Sequence, residues 1–223
     1  MPLGDLSRPV GQARLAAGRY ATASLGWDDE RHVGALLARA FVDDPLVIAI
    51  CHAPAAARRS RMEWGFRVAV RNHYLAAQPA WTLADSSACP LGVALVTSSP
   101  PVRQKGPSDP VFVLRAFLHV RPHTALRGLK AARVIASQAP TVPFTYLRTL
   151  GVDPAFQGRG LGSQLVEQVV RAASPLLPIY LETANERNLS FYARHGFACI
   201  GEFRCLGVPV WRMLRAATDA TPR

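Results

Sequence analysis

The stretch from Phe144 to Gly162 constrains the fold more than any other part of this 223-residue chain. It begins with a short apolar run of β-prone residues, which predicts a strand. Asp153-Pro154 ends that strand, because proline cannot donate a hydrogen bond to a sheet. The segment QGRGLG follows at residues 157–162, and apolar residues then recur at helical spacing up to residue 173. The sequence therefore predicts a strand, a glycine loop and a helix in direct succession.

A loop of this kind is suited to hold a pyrophosphate. Glycines let backbone N–H groups approach an anion, and the first helical turn adds free donors and a positive dipole end. Arg159 would add a charged donor. The P-loop pattern is excluded because no Gly-Lys-Ser/Thr closes the segment. The dinucleotide-binding pattern fails because Ser163 stands where a third glycine or alanine belongs, and too little chain follows Glu182 for a doubly wound sheet.

Two motifs resemble the GNAT superfamily of N-acetyltransferases. The pattern Gln-x-x-Gly-x-Gly at residues 157–162, after a Val-x-Pro strand end, is similar to the acetyl-CoA loop of that superfamily. The run YLETANERNLSFYARHGF at residues 180–197 is similar to its second motif, where Asn precedes a helix that carries Tyr and ends in Gly-Phe. Leu-Glu-Thr, then Asn188 and Tyr192, is most like the puromycin N-acetyltransferase-like branch. The resemblance is close over residues 144–204 and loose over residues 20–98.

The resemblance implies an α/β fold with a central, mixed, mostly antiparallel sheet, one parallel and splayed strand pair, and flanking helices. Hydrophobic periodicity predicts a compatible element order. The predicted strands are Tyr20–Leu25, Trp81–Ala84, Leu91–Ser98, Tyr146–Val152, Pro178–Thr183, Phe197–Phe203 and Val208–Leu214. The predicted helices are Val33–Phe41, Leu46–Cys51, Ala55–Ala77, Val111–Val120, Ala125–Ser137, Leu161–Ala173 and Asn185–His195.

The chain is predicted to contain a single GNAT-like acetyltransferase domain at residues 19–215, with its core motifs at 144–204. A flexible N-terminal tail would occupy residues 1–18 and a C-terminal tail residues 216–223, because neither shows periodicity. The Pro-rich stretch and helices at residues 99–137 match no motif, and we expect them to shape the acceptor pocket.

The resemblance implies acetyl-CoA as the cosubstrate and places several residues along it. Leu150, Gly151 and Val152 would pair with the pantetheine arm, and a backbone N–H near Leu150 would polarise the thioester carbonyl. Asn188 would either contact the cosubstrate or cap its helix. The residues expected around the pyrophosphate are Gln157, Gly158, Arg159, Gly160, Leu161, Gly162 and Ser163.

Tyr192 and Glu182 are the candidate catalytic residues. Tyr192 would act as the acid that serves the departing thiolate, unless it is only a core aromatic residue. Glu182 would act as the base through a water, unless it is a surface carboxylate paired with an arginine; Asp43 and Asp44 are reserve candidates. The implied reaction is direct acetyl transfer to a primary amine of a small molecule, such as an antibiotic or metabolite, in a ternary complex. The alternative is a non-catalytic acyl-CoA-binding sensor or interaction module.

The composition limits the partners. The net charge of +11 comes almost entirely from arginine, without the aromatic-interleaved basic stripe typical of nucleic-acid binding. We interpret Arg58, Arg59, Arg61, Arg67 and Arg71 as a solvated helix face, and the excess positive charge of the chain would attract a polyanionic cosubstrate. The four cysteines lack zinc-site spacing, so no metal is expected. No apolar run long enough to cross a membrane and no signal peptide is visible, which predicts a cytoplasmic protein without a membrane partner. A homodimer is left open.

Overall fold

The computed structural model of this chain describes residues 21–26, 29–75, 78–85, 89–98 and 118–218. The strands are β1 Ala21–Ser24, β2 Ala80–Ala84, β3 Pro90–Ser98, β4 Thr145–Val152, β5 Ile179–Thr183, β6 Ala198–Cys205 and β7 Val208–Arg215. The helices are α1 Glu30–Ala40, α2 Pro45–Cys51, α3 Ala55–Leu75, α4 Pro122–Ser137, α5 Leu161–Ala172 and α6 Arg187–Arg194, with a 3-10 turn at Pro154–Phe156. The predicted tail of residues 1–18 and the predicted loop Ser99–Pro110 lie outside the described residues, and the predicted domain boundaries stay predictions.

The strands form one seven-stranded sheet in the order β1-β2-β3-β4-β5-β7-β6. β4 and β5 run parallel because α5 carries the chain from one to the other, whereas every other neighbouring pair is antiparallel. The predicted fold class, a mostly antiparallel mixed sheet with one parallel pair and flanking helices, is therefore confirmed.

The core lies on both faces of the sheet because residues along β3 alternate between them. Val93 and Leu95 belong to a cluster that includes the buried residues of α1. Ala94 and Val96 belong to a cluster on the opposite face, where α5 packs. The buried residues that α5 contributes are Leu161, Leu165, Val166 and Val169. The apolar stripe read from the sequence is thus the face that fixes α5 to the sheet.

The α4 helix begins earlier than its periodicity predicts. The pattern indicates a start at Ala125, but the helix begins at Pro122. Proline is favoured at the first helical position, where its missing N–H would have no partner. Of the predicted helix Val111–Val120, residues 111–117 lie outside the described residues.

The interpretation of the α3 arginines as a solvated face is wrong for three of the five. Arg58 is buried and donates hydrogen bonds to the carbonyls of Val42 and Ala53. Arg67 and Arg71 both pair with Glu30 at the start of α1, at 3.0 and 3.5 Å. These arginines therefore hold α1 and the loops around α2 onto α3. None of the helices in the described ranges is long and apolar enough to span a bilayer.

Candidate active site

The two parallel strands separate after a short contact. β4 pairs with β5 at two positions in this fully described part of the sheet, Thr145 with Ile179 and Tyr146 with Tyr180. On its other edge β4 stays paired with β3 up to Val152, although the register shifts between Leu147 and Thr149. We call the opening between residues 147–152 and residues 181–183 the fork. Backbone groups on the β5-facing edge of Thr149–Val152 make no ladder bond to β5, so an extended ligand could pair with them.

The glycine loop lies where β4 gives way to α5. Gly158 and Gly160 have φ angles of 74° and 80°, which favour glycine. A Cβ atom at either position would meet no atom of the described residues within 4 Å, apart from its own residue and its two neighbours in the chain. Gly160 caps α5, and its first N–H groups receive no side-chain cap. The loop is therefore shaped by backbone conformation and leaves open space above uncapped donors, which fits a pyrophosphate.

Other loop residues have partners within the protein. The Gln157 side chain donates to the Val152 carbonyl at 3.1 Å, which closes the loop onto β4. Gly162 packs α5 against α6, since a Cβ there would lie 3.3 Å from the Phe191 ring. Ser163 Oγ lies 3.1 Å from His195 Nε2. Of the predicted pyrophosphate residues, these three serve local packing or hydrogen bonding as well.

Arg159 lies exposed at the tip of the loop. Its guanidinium carbon stands 5.1 Å from the centre of the Phe156 ring, and one of its amino groups is 3.4 Å from the Ala155 carbonyl. These contacts are compatible with a side chain that turns toward a phosphate, because the hydrogen bond is exposed and the Phe156 ring is only partly buried. Arg159 therefore lies within the loop, and its contacts are with Phe156 and Ala155 of the adjoining turn.

Glu182 stands at the fork on the face opposite α5. Its Oε2 accepts a hydrogen bond of 2.7 Å from the hydroxyl of Tyr146. Burial raises the pKa of the Glu182 carboxyl, while the hydroxyls of Tyr146 and Tyr180 and the positive charge of Arg212 oppose the rise. The predicted base is thus a half-buried carboxyl held by tyrosines, and Arg212 faces it in register from β7.

Tyr192 lies on the opposite face of the sheet. Its ring is buried and contacts Phe191 and Phe197, with centroids 5.0 and 5.7 Å apart. Leu181 shares that core cluster with Tyr192, so the next residue along β5, Glu182, points to the other face. Burial raises the pKa of Tyr192, so the phenol stays protonated at neutral pH. A ligand threaded through the fork could be reached by Tyr192 from one face and by Glu182 from the other.

The two asparagines of the second motif have structural partners. Asn185 Oδ1 accepts from the Arg187 backbone N–H at 3.1 Å and so caps the start of α6. The Asn188 amide donates to Thr183 Oγ1 at 3.1 Å, which ties α6 to the end of β5. Leu150, Gly151 and Val152 lie on the β4 edge of the fork, and their contact with the pantetheine arm stays a prediction.

The reserve base candidates serve the fold. Asp44 caps α2 and accepts from the Leu46 and Val47 N–H groups at 2.9 and 3.1 Å. Burial raises the pKa of Asp44, and those hydrogen bonds oppose the rise. Asp43 pairs with Arg58 at 3.2 Å. Within the described ranges, no three His, Cys, Asp or Glu side chains cluster as a metal site would require.

The sequence did not single out Tyr146, Tyr180 or Arg212. Tyr180 and Glu182 lie two residues apart on one strand, so their common face could have been inferred. The approach of Tyr146 and Arg212 depends on strand register, which a single sequence does not reveal.

A cationic cleft lies between the second half of α5 and the end of α6. It has a volume of about 450 Å³ and adjoins His195, the partner of Ser163. Its lining residues are Glu167, Val170, Arg171, Arg194, His195, Gly196 and Arg215. Three arginines against one glutamate favour an anionic neighbour.

Comparison with known proteins agrees with this geometry. The sequence profile of the acetyltransferase (GNAT) domain matches residues 125–199. The N-alpha-acetyltransferase RimI of Mycobacterium tuberculosis is 32% identical over 111 residues, which cover 44% of this chain and 70% of RimI. This chain belongs to the GNAT family of acetyltransferases. The GNAT family confirms the predicted enzyme class, an N-acetyltransferase, and acetyl-CoA as its cosubstrate.

Solved structures support the GNAT fold. A histone acetyltransferase HPA2 and related acetyltransferase from Corynebacterium glutamicum superposes with a TM-score of 0.65 at 22% identity, covering 90% of this chain and 97% of that one. Arylalkylamine N-acetyltransferase 2 from Aedes aegypti superposes with a TM-score of 0.51 at 12% identity, covering 91% and 100%. At such identities the similarity concerns the fold alone.

Proposed function

We propose that this GNAT enzyme acetylates a primary amine of a small molecule by direct attack within a ternary complex. The observation that carries the proposal is the fork, with Glu182 on one face and Tyr192 on the other. Acetyl-CoA would supply the activated acetyl group. Backbone groups of residues 150–152 would hold its pantetheine arm, and residues 157–163 its pyrophosphate. Asn188 would contact the cosubstrate from the start of α6.

Each catalytic side chain has a defined role in this proposal. Glu182 accepts one proton from the substrate ammonium, directly or through a water, so that the amine can attack. Tyr192 donates its hydroxyl hydrogen toward the leaving sulfur, where a raised pKa keeps that hydrogen available. Of the two protons that leave the ammonium, one ends on the thiol of CoA and the other in solvent, and both side chains return to their starting state.

The helices that pack over the Glu182 face of the sheet favour a small acceptor. There, α4 packs against α2 through the hydrogen bond from Arg127 Nε to the Ala49 carbonyl, 2.7 Å long. At the end of α4, the Gln138 carbonyl accepts from Arg212 at 3.2 Å, next to the tyrosine–glutamate cluster. The Leu-Glu-Thr motif supports the puromycin N-acetyltransferase-like branch as part of the same proposal. A cytoplasmic location and a possible homodimer belong to the proposal as well.

The RimI relationship favours a second candidate, the α-amino group of a peptide or protein. RimI is named an N-alpha-acetyltransferase and shares 32% identity with this chain. A non-catalytic acyl-CoA sensor is disfavoured, because the matched family consists of acetyltransferases.

The test is a screen for acetyl-CoA consumption, in which the release of free CoA thiol measures turnover. The panel contains aminonucleosides, aminoglycosides, polyamines, amino acids and peptides with free N-termini, with Glu182→Gln as the matched inactive control. Turnover of a small amine, with little turnover of peptides, supports the first candidate, and the reverse supports the second. Binding of acetyl-CoA without turnover of any amine would support the non-catalytic sensor instead.

A further inference from the structure

Tyr146 occupies a particular place in the fork. It and Tyr180 are the last paired residues before β4 and β5 separate, and both side chains lie on the Glu182 face. The Tyr146 ring is fixed by Phe144 and Tyr180, with centroids 6.1 and 5.9 Å away. Its hydroxyl donates to Glu182 Oε2 at 2.7 Å, across 36 residues of sequence. A rigid donor from one strand thus holds the carboxyl on the other.

Other polar groups face the same carboxyl from each neighbouring element. The Tyr180 hydroxyl on β5 donates to the Gln138 carbonyl at the end of α4, 3.5 Å away, and its proximity also favours the charged form of Glu182. Arg212 on β7 stands opposite Glu182 in the strand register. Its Nη1 donates to the same Gln138 carbonyl. Arg148 on β4 adds positive charge near Tyr146. Among these groups, Tyr146 makes the shortest hydrogen bond to Glu182 that the structure shows.

We propose that Tyr146 is a positioning residue that orients the Glu182 carboxylate to accept the proton of the acceptor amine at the fork. The inference rests on the proposed function. The Tyr146 hydroxyl donates its hydrogen bond to Oε2 of Glu182, which leaves Oε1 to accept the incoming proton. That proton passes from the ammonium nitrogen to Oε1 and then to solvent. Tyr146 keeps its own proton throughout, because burial and the nearby Glu182 charge raise the pKa of its phenol well above the ordinary value.

The proposal predicts that removal of the Tyr146 hydroxyl shifts the pH dependence of kcat/KM. A donor to a carboxylate stabilises the charged form, so the Tyr146 hydrogen bond lowers the pKa of Glu182 against the effect of burial. Tyr146→Phe removes this donor and keeps the ring. The rising limb of kcat/KM against pH should move upward by about one to two pH units. The rate should recover at pH values above the shifted limb, while acetyl-CoA affinity stays unchanged.

The controls use the same acceptor amine throughout, so that its own titration is constant. Thr145→Val removes the neighbouring hydroxyl of β4, which projects to the opposite face, and should leave the profile where it is. Tyr180→Phe should shift the limb upward by less than Tyr146→Phe, because the Tyr180 hydroxyl donates to the Gln138 carbonyl. Melting curves establish that each variant is folded.

A second measurement avoids any loss of fold. Difluorotyrosine introduced at position 146 is a stronger hydrogen-bond donor, so it should move the rising limb downward. An unmoved limb in both Tyr146→Phe and the fluorinated protein, or an equal loss of rate at every pH, would overturn the positioning role. Absence of wild-type activity toward any amine would instead overturn the proposed function, so the two failures are distinguishable.

Discussion

Gly160 offers a test of the pyrophosphate loop that separates binding from folding. The residue has a φ of 80°, and a Cβ there would meet no atom of the described residues within 4 Å beyond its immediate neighbours in the chain. Gly160→Ala should therefore cost only the strain of the left-handed conformation, about 1–2 kcal/mol. For a chain of this size that corresponds to a loss of about 2–8 °C in Tm.

The loss of acetyl-CoA binding free energy should be larger than the loss of folding stability. The added methyl group projects into the open space above the uncapped start of α5, where the diphosphate is expected. Loss of one charge-assisted hydrogen bond is worth about 1.5–3 kcal/mol, so Kd should rise about 10- to 150-fold. Calorimetry with CoA measures this directly, and NAD serves as the ligand that should give no heat with either protein.

Gly207 provides the matched control. It lies in the β6–β7 turn with a φ of 85° and equally open space around its missing Cβ. Gly207→Ala should lower Tm by about the same amount and leave the affinity for CoA unchanged. If Gly160→Ala binds CoA as tightly as Gly207→Ala does, the loop does not hold the diphosphate.

Three further predictions concern single side chains. Arg159→Ala should raise the Kd for acetyl-CoA about tenfold at low salt and less at high salt, measured by calorimetry; equal affinities at every ionic strength would mean that Arg159 stays on Phe156. Tyr192→Phe should retain acetyl-CoA affinity and lose about 10²–10⁴-fold in kcat, and a wild-type rate would remove its acid role. Arg58→Ala should lower the free energy of unfolding by about 2–6 kcal/mol in urea melts, because two carbonyls lose their donor. Arg59→Ala, on the exposed neighbour, should stay within about 0.5 kcal/mol, and equal effects of the two would contradict the burial of Arg58.

The fold was predictable where a local pattern is sufficient. The apolar stripe of α5 and the glycines of the loop each report a single element, and the φ angles of Gly158 and Gly160 explain why glycine stands there. Pro122 is a local signal that the periodicity concealed, because proline at a first helical position looks like a break.

The candidate site was less predictable because it depends on contacts between distant segments. Glu182 could be chosen from its place at a strand end, but its hydroxyl donor comes from Tyr146 on another strand. Arg58 looked solvated because a charged helix face does not reveal that the carbonyls of Val42 and Ala53 approach it. Register and loop packing decide these contacts, and neither leaves a periodic signal in the sequence.

The most direct test of the fork as the acetyl-CoA site is amide hydrogen exchange with and without acetyl-CoA. Protection should appear in peptides that contain Thr149–Val152 and residues 157–163, because their backbone N–H groups would bind the pantetheine arm and the pyrophosphate. The turn between β6 and β7 should exchange at the same rate in both conditions. Protection elsewhere, with unchanged exchange at the β4 edge and the glycine loop, would contradict the proposed site.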